Sequence, residues 1–295
     1  MTFSRLSALR ARLELPVVRK ATGLLEGRHR SVFSGHGQDF DDMVDYQPGD
    51  AVSDIDWKAS ARAGHPVIKR FQKETNLRLI IGLDAGRSMS TLAPSGETKS
   101  EVAVFLCEVL AFLARDRGDQ VGLVAGDADR MVQIPARQGT EHLEALLRLA
   151  ERQFGVDTPA SDLGRVLQRV LTSATRRSLV VIITDEARPH PDHEIELRRL
   201  RTRHEIMVIA IADLKPTELT DTKGVVVDVD GGRLPDFVRR DKTIRAEAAV
   251  RVEERKRAVS AMLRRRGITS VVVNGSDHAL DALIDLLGRQ RRVRR

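Results

Sequence analysis

The sequence predicts an α/β protein built on a doubly wound, mostly parallel β-sheet, with an accessory segment in front of it. Three observations predict this. From Leu77 onward, short Val/Ile/Leu runs alternate with longer amphipathic stretches, the pattern of strands buried on both faces between crossover helices. Hydrophobic residues make up 41% of the 295-residue chain but aromatics only 3%, so the core has to be aliphatic. Residues 1–76 lack the alternation and carry a different composition.

Residues 1–33 read as a helical lead-in: Leu6, Leu9, Leu13, Leu24 and Leu25 give partial helical spacing, broken at Pro16. Ser34–Asp56 contains seven aspartates and no lysine or arginine. Gly35, Gly37, Pro48 and Gly49 punctuate it, so much of it is expected to be loop or turn. It leads into Trp57, the only tryptophan, after which the charge reverses at Lys58, Arg62, Lys69, Arg70 and Lys73. The Ser34–Phe71 region is expected to contribute to a small β-rich lobe. Next come a strand at Leu77–Leu83 and an apolar helix at Ser100–Arg115. A strand at Val121–Ala125 follows, with a short antiparallel partner at Met131–Ile134 across the Gly126-Asp127 turn. Thr140–Arg152 is an amphipathic helix with Thr140 as its candidate cap. Ser161–Ala174 is a second, with Leu163, Val166, Leu167, Val170 and Leu171 on one face. Leu179–Thr184 is the clearest core strand. A helix at Asp192–Arg203 and strands at Ile206–Ile211 and Val225–Val229 follow. A long charged helix at Ala246–Arg266, a strand at Thr269–Val273 and a helix at Asp277–Leu287 complete the pattern. The expected division is 1–76 for the lead-in and accessory segment, 77–290 for the α/β domain and 291–295 for a basic tail.

Composition narrows the function classes. The single cysteine, Cys107, lies in an apolar helix and reads as core. It excludes an internal disulfide and a cysteine-built zinc site. No apolar run approaches a membrane span, and Arg5, Arg10, Arg12 and Glu14 interrupt any leader-like core, so a soluble cytoplasmic protein is expected. The net charge of +7 is concentrated in residues 1–30 and in Gly288–Arg295. These ends read either as an electrostatic footprint for an anionic partner or as solvated tails. No interleaved aromatics mark a base-stacking surface. There is no Gly-x-x-x-x-Gly-Lys-Ser/Thr loop for a nucleotide and no Gly-x-Ser-x-Gly elbow, so neither a nucleotide cofactor nor a catalytic serine is expected.

Ligands of open parallel sheets bind beyond the carboxyl ends of the strands. The first strand ends in Asp84-Ala-Gly86-Arg-Ser88-Met-Ser90 and the core strand in Thr184-Asp185-Glu186. Asp157-Thr158-Pro-Ala-Ser161-Asp162-Leu163 precedes a helix between them. Acids and hydroxyls are hard oxygen ligands, suited to Mg²⁺ or Mn²⁺. Asp84-x-Gly86-x-Ser88 together with Asp185 resembles the metal-ion-dependent adhesion site of von Willebrand factor A domains, whose fold this resemblance implies. The implied ligands are Asp84, Ser88, Asp185 and a middle-loop hydroxyl from Ser161 or Thr158. The family pattern has a first serine where this chain has Gly86, which weakens the metal site that the resemblance implies.

Upstream, Gly35-His-Gly37, Tyr46-Gln-Pro48-Gly49-Asp50 and Ile55-Asp56-Trp57-Lys58-Ala-Ser60-Ala61-Arg62 strongly resemble a bacterial domain-of-unknown-function family, number fifty-eight, in which this motif precedes a von Willebrand A-like domain. The resemblance implies a non-enzymatic adaptor that partners a MoxR-type AAA+ ATPase in chaperone-like remodelling. Tyr46, Asp50, Asp56, Trp57 and Arg62 are candidate partner contacts: two amphipathic aromatics flanked by charges of both signs. The alternatives are a metal-dependent hydrolase using Asp50, Asp54 and Asp56, and nucleic-acid binding through the Arg-rich termini. His190, Asp192 and His193 form a weaker candidate metal cluster. Asp119, Asp127 and Asp129 read as turn chemistry.

Overall fold

The computed structural model describes residues 34–47, 52–72, 77–214 and 242–292. They divide into two compact units, with the boundary between Asn76 and Leu77. The expected lead-in at 1–33 and the expected strand at Val225–Val229 lie outside the described residues.

The smaller unit contains an antiparallel pair, β1 (Ser34–Asp45) and β2 (Val67–Gln72), with a short helix α1 (Trp57–Ala63) between them in sequence. Here the expectation of loop for much of Ser34–Asp56 is corrected: Ser34–Asp45 is strand. Register breaks between Ser34 and Asp39 and between Phe40 and Asp42 accommodate the residues that read as turn formers. The chain around α1 is held by its own polar groups. The Asp56 carboxylate accepts from the Lys58 and Ala59 amides at 2.9 and 3.0 Å. The Ser60 hydroxyl donates to Asp56 O at 2.7 Å and accepts from Val67 N at 2.8 Å. Gly64, with φ of +78°, supplies the left-handed residue that ends the helix.

The larger unit is a six-stranded sheet in the order β5-β4-β3-β6-β7-β8. The strands are β3 (Arg78–Asp84), β4 (Gln120–Gly126), β5 (Met131–Arg137), β6 (Leu179–Asp185), β7 (Glu205–Ile211) and β8 (Thr269–Val273). All neighbours are parallel except the β4–β5 edge pair. This is the doubly wound, mostly parallel sheet that the sequence predicts. Strand side chains alternate between the two faces. Ile80, Val180, Ile182, Ile206 and Val208 join one core cluster with residues of α4 (Leu163–Ser173), α5 (Glu194–Arg203) and α6 (Lys242–Arg265). On the opposite face α2 (Lys99–Asp116) packs against α3 (Thr140–Glu151) and α7 (Ser276–Arg292). α2 is apolar almost all round because it is buried almost all round. Cys107 is fully buried within it, and burial pushes its thiol up to about 12, as a core cysteine requires.

Helix starts follow capping chemistry. Thr98 and Glu101 form a reciprocal capping box at α2, and the Asp162 carboxylate caps α4 by accepting from Arg165 N at 3.0 Å. Thr140 is not the cap of α3: Gly139 takes that position and Thr140 is the first helical residue. α7 runs on to Arg292, so the first two arginines of the expected basic tail are helical. Among the described residues, no helix is long and apolar enough to cross a membrane.

Candidate functional site

β3 pairs with β4 on one side and with β6 on the other, so the winding reverses between β3 and β6. The carboxyl ends of these two strands carry Asp84 and Asp185, both buried. Asp84 Oδ1 accepts from Gly86 N at 3.2 Å and Oδ2 from the Thr184 hydroxyl at 2.9 Å. Its carboxyl is held above the usual carboxylate range. Burial is the main cause, the nearby Asp185 adds to it, and the Arg188 charge opposes it. The 3₁₀ turn at Arg87–Ser90 then places Ser88 against Ser161, their hydroxyl oxygens 2.6 Å apart. Arg87 N donates to Pro159 O at 2.8 Å and locks the two loops together.

The structure thus brings Asp84, Ser88, Ser161 and Asp185 to one crevice. Of the two candidate middle-loop hydroxyls, Ser161 is the one that meets Ser88. Thr158 turns to its own loop and donates to Gly155 O at 2.8 Å. Gly86 has a specific reason to be glycine: a Cβ there would lie 2.2 Å from Ser161 Cα and 2.3 Å from Ser161 N. A serine at this position, as in the adhesion-site pattern, would require the Ser161 backbone to move.

Two cations reach the same place, and sequence reasoning did not select either. Arg188 Nη1 donates to Asp185 Oδ2 at 2.7 Å and to Ser88 Oγ at 3.3 Å, while Asp185 Oδ1 accepts from Ala187 N at 2.9 Å. The Lys99 side chain, 1% exposed, bonds to Asp213 Oδ1 and lies 4.0 Å from Asp185 Oδ2. Thr91 donates to the same Asp213 oxygen at 3.3 Å. Each had a signal. Lys99 opens α2, where the helix dipole disfavours a cation, so a lysine there implies a carboxylate holding it. Arg188 follows Asp185 at i+3 in a turn. Asp213 lies two residues past the end of β7, as an acid at a third strand end.

A divalent ion would have to displace a cation of the chain from this donor set. The guanidinium already engages Ser88 and Asp185, each Asp84 oxygen accepts one hydrogen bond, and Gly86 offers no side-chain ligand. Among the described residues, no group of three or more histidine, cysteine, aspartate or glutamate side chains is placed to hold a metal. The His190–His193 segment is a 3₁₀ turn closed on itself, with His190 Nδ1 2.9 Å from Asp192 Oδ2 and His190 N donating to His193 Nδ1 at 2.9 Å. Asp127 accepts from Asp129 N and Arg130 N at 2.9 and 2.7 Å, which is the turn chemistry expected of that group.

In the smaller unit, Asp56 is a helix cap, Trp57 is 68% exposed, Arg62 is exposed and Tyr46 is half-buried with its amide on Pro66 O. Val52, one turn of chain earlier, is 61% exposed. Asp50 lies outside the described residues.

Comparison with known proteins places these features in a family. Uncharacterized protein Rv1480 of Mycobacterium tuberculosis strain H37Rv is 30% identical over 258 residues, covering 84% of this chain and 80% of that protein. Among solved structures, the conserved hypothetical protein BatB from Bacteroides thetaiotaomicron aligns with a TM-score of 0.47 at 16% identity, over 74% of this chain and 100% of that one. A von Willebrand factor type A protein from Catenulispora acidiphila aligns with a TM-score of 0.43 at 14% identity, over 76% of this chain and 44% of that one. Residues 42–275, a span that takes in both the Asp56–Trp57 element and every residue of the crevice, match the family described as protein of unknown function DUF58, and the chain belongs to that family.

Proposed function

We propose that this protein is a non-enzymatic interaction module acting in the cytoplasm, and that its partner is a MoxR-type AAA+ ATPase, as the sequence resemblance implies. The observation that carries the reading is the closure of the crevice. Ser88 meets Ser161 and Arg188, Asp185 meets Arg188 and a backbone amide, and Asp84 meets Thr184 and Gly86. A catalytic serine needs a base to take its proton, and the cation beside Ser88 cannot accept one. Asp56, a member of the alternative hydrolase set, has its carboxylate committed to the α1 amides. The Arg-rich termini lie largely outside the described residues.

Recognition in this reading falls to exposed side chains of the smaller unit. Trp57 has the size and amphipathic character typical of an interface anchor, and Lys58 and Arg62 on the same short helix supply charge. The test is titration calorimetry of the purified protein against a MoxR-type ATPase from the same cell, with and without nucleotide. A saturable complex that Trp57→Ala weakens by about tenfold or more supports the reading. If no complex forms in either nucleotide state, the assigned partner is wrong. If a complex forms that Trp57→Ala leaves unchanged, the contact surface lies elsewhere.

A further inference from the structure

We propose that the Arg188 guanidinium, backed by the Lys99 ammonium, is the resident cation of the β3–β6 crevice, and that it keeps divalent ions out. The crevice then works without metal.

The geometry argues this in three steps. First, a Mg²⁺ ion on Ser88 Oγ would sit about 2.1 Å from that oxygen, whereas Arg188 Nη1 is already 3.3 Å from it and 2.7 Å from Asp185 Oδ2. The ion and the guanidinium compete for the same lone pairs. They would also stand within a few ångströms of each other at a partly buried site, where repulsion is only incompletely screened. Second, most of the charge that would attract an ion is already offset. The three carboxylates Asp84, Asp185 and Asp213 face the two cations Lys99 and Arg188. Third, the ligand loop cannot be completed at Gly86, because a Cβ there meets the Ser161 backbone at 2.2 Å.

Arginine also differs from a titratable or exchangeable cation. Its planar fork holds carboxylate and hydroxyl in fixed directions. Arg188 is anchored at both ends of the turn, since Arg188 N donates to Asp185 O at 3.1 Å while its side chain returns to the Asp185 carboxylate. What a bound ion would supply in this place, a fixed positive charge joining the two strand ends, is supplied by the chain itself. The inference does not rest on the adaptor reading, because its readout is the binding of the metal alone.

The experiment is calorimetric titration of MgCl₂ and MnCl₂ into the full chain, as wild type, Arg188→Gln, Arg188→Lys and Asp84→Asn. The expected result is no saturable binding to wild type or Arg188→Lys up to millimolar ion. Arg188→Gln should gain Mn²⁺ affinity by at least about tenfold, because the repulsion is gone and the oxygens remain. Saturable Mg²⁺ or Mn²⁺ binding by wild type that Asp84→Asn abolishes overturns the proposal. A folded Arg188→Gln protein that gains nothing also overturns it, since Arg188 would not then be what excludes the ion. Should Arg188→Gln fail to fold, Arg188→Met takes its place under the same outcomes, and a wild-type melting temperature raised by Mn²⁺ but not by the same ionic strength of Na⁺ overturns the proposal.

Discussion

The crevice of the larger unit and the α1 turn of the smaller one use the same residue type for opposite ends. In the crevice, Asp185 is 2% exposed and its carboxylate is paired with Arg188 and approached by Lys99. At the α1 turn, Asp56 spends its carboxylate on two backbone amides, and the large apolar side chain beside it, Trp57, stands in solvent. The first arrangement is internal: charge answers charge, and little is left to offer a ligand. The second costs the protein little and leaves an anchor outside. On the proposed function, stability and recognition would be carried by different residues, and substitutions in the two places should register in different measurements.

The largest effect is expected at Lys99. Methionine there keeps the aliphatic stem but removes the ammonium from Asp213 and Asp185. Leaving a buried partner uncompensated typically costs on the order of 3 kcal/mol or more. Asp213, whose side chain is 41% exposed, can rehydrate, and Asp185 keeps Arg188 at 2.7 Å, so the loss should fall short of that full penalty, at about 1–3 kcal/mol. Urea unfolding of Lys99→Met should show a lower midpoint at unchanged slope. Adding Asp213→Asn should cost less than the sum of the two single changes. A loss under about 1 kcal/mol would mean that the lysine is not part of a buried ionic unit, and the contrast with the α1 turn would fail.

A smaller effect is expected at the other pole. Asp56→Ala removes a helix cap, an interaction typically worth about 1 kcal/mol, while Asp56→Asn keeps an acceptor oxygen for the same amides. Hydrogen exchange of the full chain reads this locally. The Lys58 and Ala59 amides should lose protection in Asp56→Ala and retain it in Asp56→Asn, with exchange in the sheet unchanged. Equal loss in both variants would mean that the carboxylate acts through its charge rather than as a cap.

The sheet was the most legible part of the sequence because its strands are buried on both faces. Leu179–Asp185 is buried throughout, and a continuous Val/Ile run admits little else. Ser34–Asp45 was the least legible: its glycines and aspartates have weak local preference for strand, and only pairing with β2 and a shifted register make it one. The same divide runs through the crevice. Asp84, Ser88, Ser161 and Asp185 could be selected because acids and hydroxyls at strand ends form a visible pattern. Lys99 and Arg188 are easily passed over, because a basic side chain in a charged sequence reads as surface unless its place, at a helix start or three residues past a strand-end acid, is weighed. Gly86 carried its information in what it lacks, and only the 2.2 Å approach of Ser161 shows why.

The finest distinction between buried and surface polar chemistry lies in the histidines. His65, in the smaller unit, is exposed and lies 2.8 Å from Asp45 Oδ1. His204, at the end of α5, is 2% exposed, and both its ring nitrogens are buried without a hydrogen-bond partner. Burial pushes the His204 imidazole below its ordinary value, and the neighbouring Arg203 charge pushes the same way. The folded value thus lies below the unfolded one, so the unfolded chain takes up the proton first as pH falls. The stability associated with neutral His204 is complete above the unfolded value of about 6.5 and declines as pH drops from there towards the folded value. His193, whose imidazole is lowered mainly by burial, adds to the same slope. Denaturant unfolding measured between about pH 8 and pH 5 should show this decline. His204→Leu should flatten it in part, with its largest relative gain at the acid end. Parallel profiles for wild type and His204→Leu would mean that the ring finds a proton acceptor or water in solution, and that the polar interior of the sheet unit is less closed than the crevice implies.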